Sequence, residues 1–306
     1  MFASGSEIRV GYVPEAAWAQ TPATPGFKTL RVTGGGLRTN FSVGTSDERI
    51  ADRNVRDEYL QGEDASGTYN FELSYGTLDD ILEAVMFGTW TGNVLKNGNT
   101  RRSFTFEETL ETGATDSFFR FPGCMVNSLS MELSSRAAVT GSFNLMAKQE
   151  IPANAAVTGA TYAAPTDTET LTASASVAAF DMMGTSPKVR RLQFEINNGL
   201  RTRPLIASRY SEEFGVDRCN ITGTMEAYFE DNTLYQRVFN RDAGPLSFTV
   251  GNVSGEKYTF LFPNIKFGNG ERSAPGNADD VILTLPFRAL YSAPDAASLV
   301  ITRAVA

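Results

Sequence analysis

Residues 66–88, SGTYNFELSYGTLDDILEAVMFG, contain a strand pattern followed directly by a helix pattern. In the first part apolar and polar residues alternate, which is the period of a strand with one face in a core. From Leu78 onward apolar residues follow the i, i+3, i+4, i+7, i+8 spacing of one buried helix face. We therefore predict a helix over 77–88, with Thr77 as its N-cap and Gly88 at its C-terminal cap.

The same alternation of apolar and polar residues recurs elsewhere in the chain, at 128–133, 191–197 and 281–289. Strand patterns therefore dominate. A single amphipathic helix in a strand-rich half must lie across one face or edge of a sheet. We predict a mainly β protein in which each helix covers a sheet.

The composition excludes several classes of function. The chain has 306 residues, enough for one large or two ordinary domains, with 42% apolar residues and a net charge of −8. A protein that grips the phosphates of nucleic acid normally carries the opposite sign. Histidine is absent, which removes the Ser-His-Asp and Cys-His mechanisms and the HExxH zinc motif. We predict no enzyme, no cofactor and no metal site.

Nothing in the sequence points to secretion or to a membrane. The two cysteines, Cys124 and Cys219, are too few for a four-cysteine zinc site or a disulfide framework, so we expect reduced thiols. The first residues lack the basic and apolar regions of a signal peptide, and no run of about 18 apolar residues occurs. We expect a protein made in the cytoplasm that does not enter a membrane.

Two pairs of adjacent carboxylates, Glu107 with Glu108 and Asp279 with Asp280, raise the question of glycosidase chemistry. Adjacent residues of a strand point to opposite faces, so neither pair shares one site if it lies on a strand. We predict a catalytic role for neither pair.

Short segments of the first half recur in the second half in the same order, which is the signature of a duplicated domain. The matches are Gly36–Thr39 with Gly199–Thr202, Ser66–Thr68 with Thr222–Thr224, Leu78 and Leu82 with Leu234 and Val238, Ser103–Thr105 with Ser247–Thr249, Phe119, Phe121 and Pro122 with Phe260, Phe262 and Pro263, and Val139, Phe143 and Leu145 with Val281, Leu285 and Phe287. They predict a second helix over 232–240. The alternative is two unrelated β domains that share only the common alternation.

The duplication predicts three regions: a first domain over 1–150, a linker over 151–186, and a second domain with a C-terminal extension over 187–306. The linker is rich in Ala and Thr and holds no basic residue. Such a segment buries little. We expect it to connect two packed halves and to contain one short strand near 173–180.

An acidic stretch at 44–65 separates two predicted strands and holds seven acidic and three basic side chains. Loops of about 20 residues inside a compact domain are unusual and often functional. A shorter, less acidic counterpart lies near 206–221. A solvated flap without a function is the alternative, because charge runs are usually solvated.

Several segments together resemble the tail tube proteins (major tail proteins) of long, non-contractile-tailed, siphophage-type bacteriophages. They are TPATPGFKTL at 21–30, the acidic stretch, SYGTLDDILEA at 74–84, RSFTFEE at 102–108 and the stretch 121–148. Residues 187–292 fit the second copy of two-domain members. The resemblance covers most of the chain.

The resemblance implies two tandem β-sandwich or β-barrel domains of the tail-tube type, each flanked by one α-helix. It also implies a structural virion protein that is made in the bacterial host and assembles into stacked rings. Trimeric rings would have pseudo-sixfold symmetry, and the stack would be the conduit through which the genome is ejected. The implied partners are other copies of the chain, the tape-measure protein, and the tail terminator and distal tail proteins.

Viral DNA would pass through the tube without specific binding, so we expect acidic side chains to outnumber basic ones on the lumen. The two helices should lie outside the lumen. As in the family, the long loop is the candidate for contact between rings. The candidate stacking residues are Asp47, Glu48, Arg49, Asp52, Arg53, Arg56, Asp57, Glu58, Glu212, Glu213 and Arg218.

Three other functions compete with this interpretation. A secreted or surface β-sandwich binding module, such as an adhesin or glycan binder, is disfavoured by the missing signal sequence and by only two Trp residues. A ring of a contractile tail or of a type VI secretion tube would share the fold, but tandem duplication in one chain favours the non-contractile tail. An enzyme is the least expected.

Overall fold

The computed structural model describes residues 4–113, 115–274 and 276–305, without the side chains of 178 and 179. In this part of the chain it contains eighteen β-strands, two α-helices and one short 3-10 helix, Gly5–Glu7. The prediction of a mainly β protein is confirmed.

The first eight strands range from three to eighteen residues in length. They are β1 (Ile8–Pro14), β2 (Gly26–Thr29), β3 (Gly34–Thr45), β4 (Glu58–Glu72), β5 (Val94–Lys96), β6 (Phe104–Leu110), β7 (Ser117–Ser134) and β8 (Thr140–Ala147). Helix α1 (Asp79–Val85) lies between β4 and β5.

Ten strands follow. They are β9 (Ile151–Ala153), β10 (Thr161–Ala163), β11 (Val177–Met182), β12 (Val189–Asn197), β13 (Asn220–Tyr228), β14 (Ala243–Val250), β15 (Tyr258–Phe267), β16 (Glu271–Ser273), β17 (Ile282–Ala289) and β18 (Val300–Arg303). Helix α2 (Asn232–Asn240) lies between β13 and β14, as predicted.

One antiparallel sheet runs through both halves of the chain, and we call it the common sheet. Its strand order is β3–β4–β8–β7–β12–β13–β17–β16, with only the C-terminal part of β7 taking part. The register keeps one side-chain face continuous from β3 to β16. We call the face with buried side chains the core face and the other the outward face.

Two further layers cover the core face. Strands β10–β2–β1–β6–β7–β9 cover the first half, and β11–β14–β15–β18–β5 cover the second. Aromatic rings pack between the layers, Tyr69 with Phe106 at 5.9 Å and Phe194 with Phe248 at 6.2 Å between centroids. One cluster of buried side chains extends through both halves. Cys124 and Cys219 are both free.

Helix α1 is shorter than the predicted 77–88, and both of its predicted caps are wrong. The Thr77 hydroxyl bonds Ser74 at 2.6 Å and Thr166 at 2.5 Å, and Leu78 occupies the N-cap position without a side-chain bond. At the other end Phe87 takes the left-handed conformation, with φ at 46°. Gly88 is needed for another reason, since a Cβ there would overlap the Lys96 carbonyl oxygen.

The predicted acidic loop is also shorter than expected. Strand β3 continues to Thr45 and β4 begins at Glu58, so only residues 46–57 connect them. Backbone pairing over the hairpin overrides the polar composition of residues 58–65. The predicted linker 151–186 contains β9, β10 and β11 rather than one strand. Because β9 and β10 pair with first-half strands, this segment belongs largely to the packed layers.

The matched segments of the two halves occupy similar places, with one exception. Gly67 lies opposite Leu145 in β8, and Gly223 lies opposite Phe287 in β17. The exception is Gly199–Thr202, which follows β12, whereas Gly36–Thr39 lies within β3. That match is therefore a coincidence of sequence.

Candidate functional site: open sheet edges and a projecting hairpin

The common sheet has two open edges. Among the described strands, β3 pairs with β4 alone and β16 pairs with β17 alone. Each edge presents backbone N–H and C=O groups that no neighbouring strand pairs, which is a template for pairing with another chain. On β3 the backbone N–H groups of Leu37 and Thr39 donate instead to the carboxylates of Glu108 at 2.9 Å and Glu150 at 3.0 Å, so a pairing strand would replace these two bonds. Strand β3 is twelve residues long and mostly solvent-exposed. The two ends of one sheet are therefore available for association.

A joint of the same kind lies inside the chain, where β7 pairs with β12 and connects the halves. On the outward face the Arg191 guanidinium donates two hydrogen bonds to Glu132, through Nε and Nη2, each 2.8 Å long. Its Nη1 lies 3.5 Å from a Glu226 oxygen. The bonds from Arg191 lower the pKa of the Glu132 carboxyl from its usual value. We call this β7–β12 joint the internal seam.

Asn198 closes the end of the internal seam. It follows β12, is 2% exposed, and donates from Nδ2 to the carbonyl oxygens of Val85 at 2.9 Å and Val126 at 3.2 Å. The amide thereby ties the last residue of α1 to β7. These bonds satisfy carbonyl groups that would otherwise be buried without partners.

Helix α1 lies between the two halves and bonds to both. Asp79 accepts hydrogen bonds from Tyr258 at 2.5 Å and Arg303 at 2.6 Å, both in the second half. Asp80 accepts from Tyr12 at 2.8 Å and Lys28 at 2.5 Å in the first half. Burial and the neighbouring Asp79 carboxylate raise the pKa of Tyr258, so its hydroxyl stays a donor. The helix therefore fastens one half to the other.

Helix α2 has no such cover. Every one of its residues is at least partly exposed, and Phe239 is 66% exposed. The Asp231 carboxylate caps its start by accepting from the Thr233 backbone N–H at 2.7 Å. The ring of Phe239 packs edge-to-face on Tyr235 at 5.1 Å, which leaves an apolar surface facing solvent.

The hairpin formed by β3 and β4 projects from the common sheet over residues 41–60, which we call the arm. Its exposed apolar side chains are Phe41, Val43, Ile50, Val55, Tyr59 and Leu60. Exposed apolar groups are a feature of contact surfaces when they form a patch.

The predicted stacking residues of the first half all lie on the arm. Asp52 and Arg56 form an ion pair four residues apart, and Asp52 also accepts from the Asn54 backbone N–H at 3.1 Å. These bonds lower the pKa of the Asp52 carboxyl. Within the described ranges no ion pair includes the other six: Asp47, Glu48, Arg49, Arg53, Asp57 and Glu58.

The predicted residues of the second half belong to a loop of different character. Glu213 lies 3.8 Å from Arg101 and 3.6 Å from Arg203, while Glu212 is exposed and Arg218 lines a cavity beside the end of α1. Phe214 anchors this loop and is fully buried. The structure therefore does not place these three residues on a projecting element with the first set.

Sequence reasoning missed the edge residues Arg38, Phe41 and Glu271, because strand patterns do not show which strand is outermost. The available signal was an apolar residue, Phe41, within a polar stretch. The arm's apolar residues were missed for a similar reason, since the acidic side chains around them dominated the interpretation.

The adjacent carboxylates Glu107 and Glu108 point to opposite sides of β6, as predicted. Glu107 accepts from Arg120 at 2.6 Å and Tyr162 at 2.5 Å. Glu108 accepts from the Leu37 backbone N–H at 2.9 Å. Both therefore hold layers together.

The described residues contain neither a metal-binding cluster nor a membrane-spanning helix. No group of three or more His, Cys, Asp or Glu side chains there could hold a metal ion. Neither helix has the length and apolar character needed to cross a bilayer.

These features define a structural β protein whose sheet edges and arm are available for association. The family model of the phage tail tube protein matches residues 5–289, nearly the whole chain. The chain therefore belongs to the phage tail tube protein family, and it is a structural component of a virion. No curated protein matches the sequence.

Proposed function

We propose that three copies of this chain close into a ring with pseudo-sixfold symmetry, and that stacked rings form the tail tube through which the genome leaves the capsid. The observation that carries this proposal is the common sheet, which runs through both halves and ends in two open edges. Pairing one edge with the other edge of a second copy is a head-to-tail contact, which closes a ring when the rotation allows. Closure removes both edges.

The layout of the two halves supports the duplication behind that symmetry. In each half a pair of adjacent antiparallel strands, β3 with β4 or β12 with β13, directly precedes the helix, and one long strand serves both layers. β7 has this role in the first half and β15 in the second. A duplicated chain with domains at 1–150 and 187–306 would present six similar units in a trimer.

The outward face of the common sheet suits a lumen wall. Its neutral positions are mostly Ser, Thr and Asn, for example Ser130, Ser142 and Thr224. Six acidic and four basic side chains share this face: Asp64, Glu72, Glu132, Glu195, Glu226 and Glu271 against Arg38, Arg191, Lys266 and Arg288. A mildly acidic wall repels DNA phosphates and keeps the genome moving. The helices lie on the opposite, core side.

The arm is the proposed contact between rings. It extends beyond the layers, and its apolar groups would be buried against the next ring, with Arg49, Arg53 and Arg56 available for carboxylates there. The tape-measure protein would occupy the lumen before ejection, and terminator and distal tail proteins would cap the stack. No observation favours the binding-module alternative.

Negative-stain electron microscopy with native mass spectrometry tests the proposal. The purified chain is observed over a concentration series that extends into the millimolar range. Rings with the mass of three 33.2-kDa chains, or tubes built from them, are the expected result. A chain that stays monomeric throughout the series, or that closes rings of six chains, would contradict the proposal.

A further inference from the structure

We propose that the ring seam copies the internal seam residue by residue: β3 of one copy pairs with the β16 edge of the next, with Arg38 directly opposite Glu271 and Phe41 in a groove beside α2. This inference rests on the proposed ring. It adds the register, the ion pair and the aromatic contact that would select a second copy of this chain.

The first step is the correspondence between β3 and β12. Arg38 of β3 lies opposite Ser66 in β4, and Glu195 of β12 lies opposite Thr222 in β13. Ser66 and Thr222 begin the matched segments Ser-Gly-Thr and Thr-Gly-Thr. Arg38 therefore corresponds to Glu195.

The second step is the correspondence between β7 and β16. Ser130 of β7 lies opposite Ser142 in β8, and Glu271 of β16 lies opposite Thr284 in β17. The apolar alternation that follows Ser142 matches the alternation that follows Thr284. Ser130 therefore corresponds to Glu271.

The internal seam then supplies the register. Within the chain Glu195 lies opposite Ser130. The same register between copies sets Arg38 opposite Glu271, on the outward face. Both side chains are exposed, and in the described part of the chain neither has an ion-pair or hydrogen-bond partner. Opposite charges directly across antiparallel strands stabilise the pairing, and like charges destabilise it. Strand direction agrees, since β3 would run antiparallel to β16.

Phe41 extends the correspondence beyond the ion pair. It lies three residues after Arg38, as Asn198 lies three residues after Glu195. Asn198 fills a buried site between Val85 and Val126. Phe41 is 64% exposed, and the described residues of its own chain offer it no comparable site.

The counterpart of the Asn198 site is an open groove at the other end of the chain. In the matched helices and strands, Arg241 of the second half corresponds to Val85 of the first half, and Phe267 corresponds to Val126. Both line this groove together with outward-face residues of β12, β13 and β17, such as Glu195, Thr222 and Arg288. The Arg241 guanidinium donates to the Phe267 carbonyl oxygen at 3.4 Å. An aromatic ring placed there would contact the Phe267 side and the Arg241 guanidinium, which favours aromatic faces.

Helix α2 lies directly against the same edge. A Cβ added at Gly270, just before β16, would come within 3.2 Å of Val238 and 3.6 Å of Tyr235. The partly buried ring of Tyr235 and the exposed ring of Phe239 therefore continue the apolar surface from the groove. The occupant that fits this surface is the β3 edge of a second copy.

A charge exchange tests the register. Arg38→Glu and Glu271→Arg are each expected to raise the concentration needed for ring formation about tenfold or more, because like charges then face each other. The double variant Arg38→Glu/Glu271→Arg is expected to form rings at the wild-type concentration. Matched controls are Arg136→Glu and Glu256→Arg, two exposed charge reversals away from the seam, and they should leave ring formation unchanged.

The readout is the ring fraction by mass photometry over a dilution series, with circular dichroism to show that each variant is folded. Single variants that form rings like the wild type would overturn the proposed seam. A double variant that stays as weak as the single variants would overturn the register. Both outcomes leave the ring itself intact, whereas a wild type without rings contradicts the proposed function.

Discussion

The internal seam and the open edges of the common sheet have the same strand arrangement. They differ in the side chains and helix contacts that lie beside the strands. At the internal seam Asn198 is buried and bonds two carbonyl groups, and α1 is fastened to both halves by Asp79 and Asp80. At the open edges Phe41 is exposed, and α2 packs on the core through Leu234, Tyr235 and Val238 without burying any residue fully. Buried polar contacts thus complete the joint inside the chain, and exposed apolar side chains lie at the edges that we propose to join between copies.

This difference has a physical reason. A joint made once, inside a folding chain, tolerates buried amides and carboxylates because every donor and acceptor finds its partner. A joint between copies must gain free energy when two soluble surfaces meet. Removing apolar area from water supplies that gain, and a cross-strand ion pair supplies specificity.

The arm and its second-half counterpart differ in the same way. The loop between β12 and β13 packs on its own chain, with Phe214 buried and the Ser211 hydroxyl donating to Asp64 at 2.9 Å. The arm contacts little of its own chain. Replacing residues 46–57 by an Asn-Gly turn should leave rings and abolish tubes, as seen by electron microscopy.

The control for that change is Ile206→Ala, at a fully exposed position of the packed loop, which should leave tube length unchanged. Tubes of normal length from the shortened arm would show that rings stack through other residues.

The matched positions Leu82 in α1 and Val238 in α2 allow the contributions of the two helices to the free energy of unfolding to be compared. Leu82 is fully buried, so Leu82→Ala should lower the free energy of unfolding by about 2–5 kcal/mol. Val238 is half-buried, so Val238→Ala should cost the isolated chain about 1 kcal/mol or less. Urea unfolding under monomeric conditions measures both. Equal losses would mean that the two helices are covered alike.

Substitutions at the matched positions Asn198 and Phe41 should distinguish effects on folding from effects on assembly. Asn198→Leu leaves two carbonyl groups unpaired and should cost about 1–3 kcal/mol of stability. Phe41→Ala should leave the urea midpoint unchanged and raise the concentration needed for rings. Tyr59→Ala removes another exposed aromatic ring of the arm, and it is the control for the effect of such a change on the urea midpoint. A large loss of monomer stability from Phe41→Ala would contradict an open site.

The smallest expected effect concerns pH at the internal seam. Arg191 lowers the pKa of Glu132 in the folded chain. The pair therefore contributes stability above the usual carboxyl pKa, and this contribution is lost as the pH falls through the lowered value. The effect is small because both side chains are about one-third exposed. Glu132→Gln should slightly reduce the change in the urea midpoint between pH 7 and pH 3, whereas Glu256→Gln should leave that change as it is in the wild type.

Much of the fold follows from local patterns. The alternation at 69–75, 128–133 and 191–197 identified strands. The match of Leu234 and Val238 to Leu78 and Leu82 identified α2 at its observed bounds. The C-terminal end of α1 was not predicted correctly from local patterns. Gly88 is required there because β5 approaches it closely, and this is a tertiary contact. The length of the arm was missed because pairing across the hairpin outweighs the charge of residues 58–65.

The candidate site was predictable only in part. The acidic stretch 44–65 was predicted to be functional from its length and charge, and this stays a prediction; its apolar content was overlooked. Which strands form the edges depends on pairings between distant segments, such as β7 with β12. Those pairings leave no mark on the alternation of a single strand.

The most direct test of the account is a cryo-electron-microscopy reconstruction of assembled tubes at a resolution that shows side chains. The account predicts three chains per ring, the outward face of the common sheet toward the lumen, and β3 paired with β16 of the next copy with Arg38 opposite Glu271. A lumen lined by another face, or a ring seam that leaves both of these edges unpaired, would contradict it.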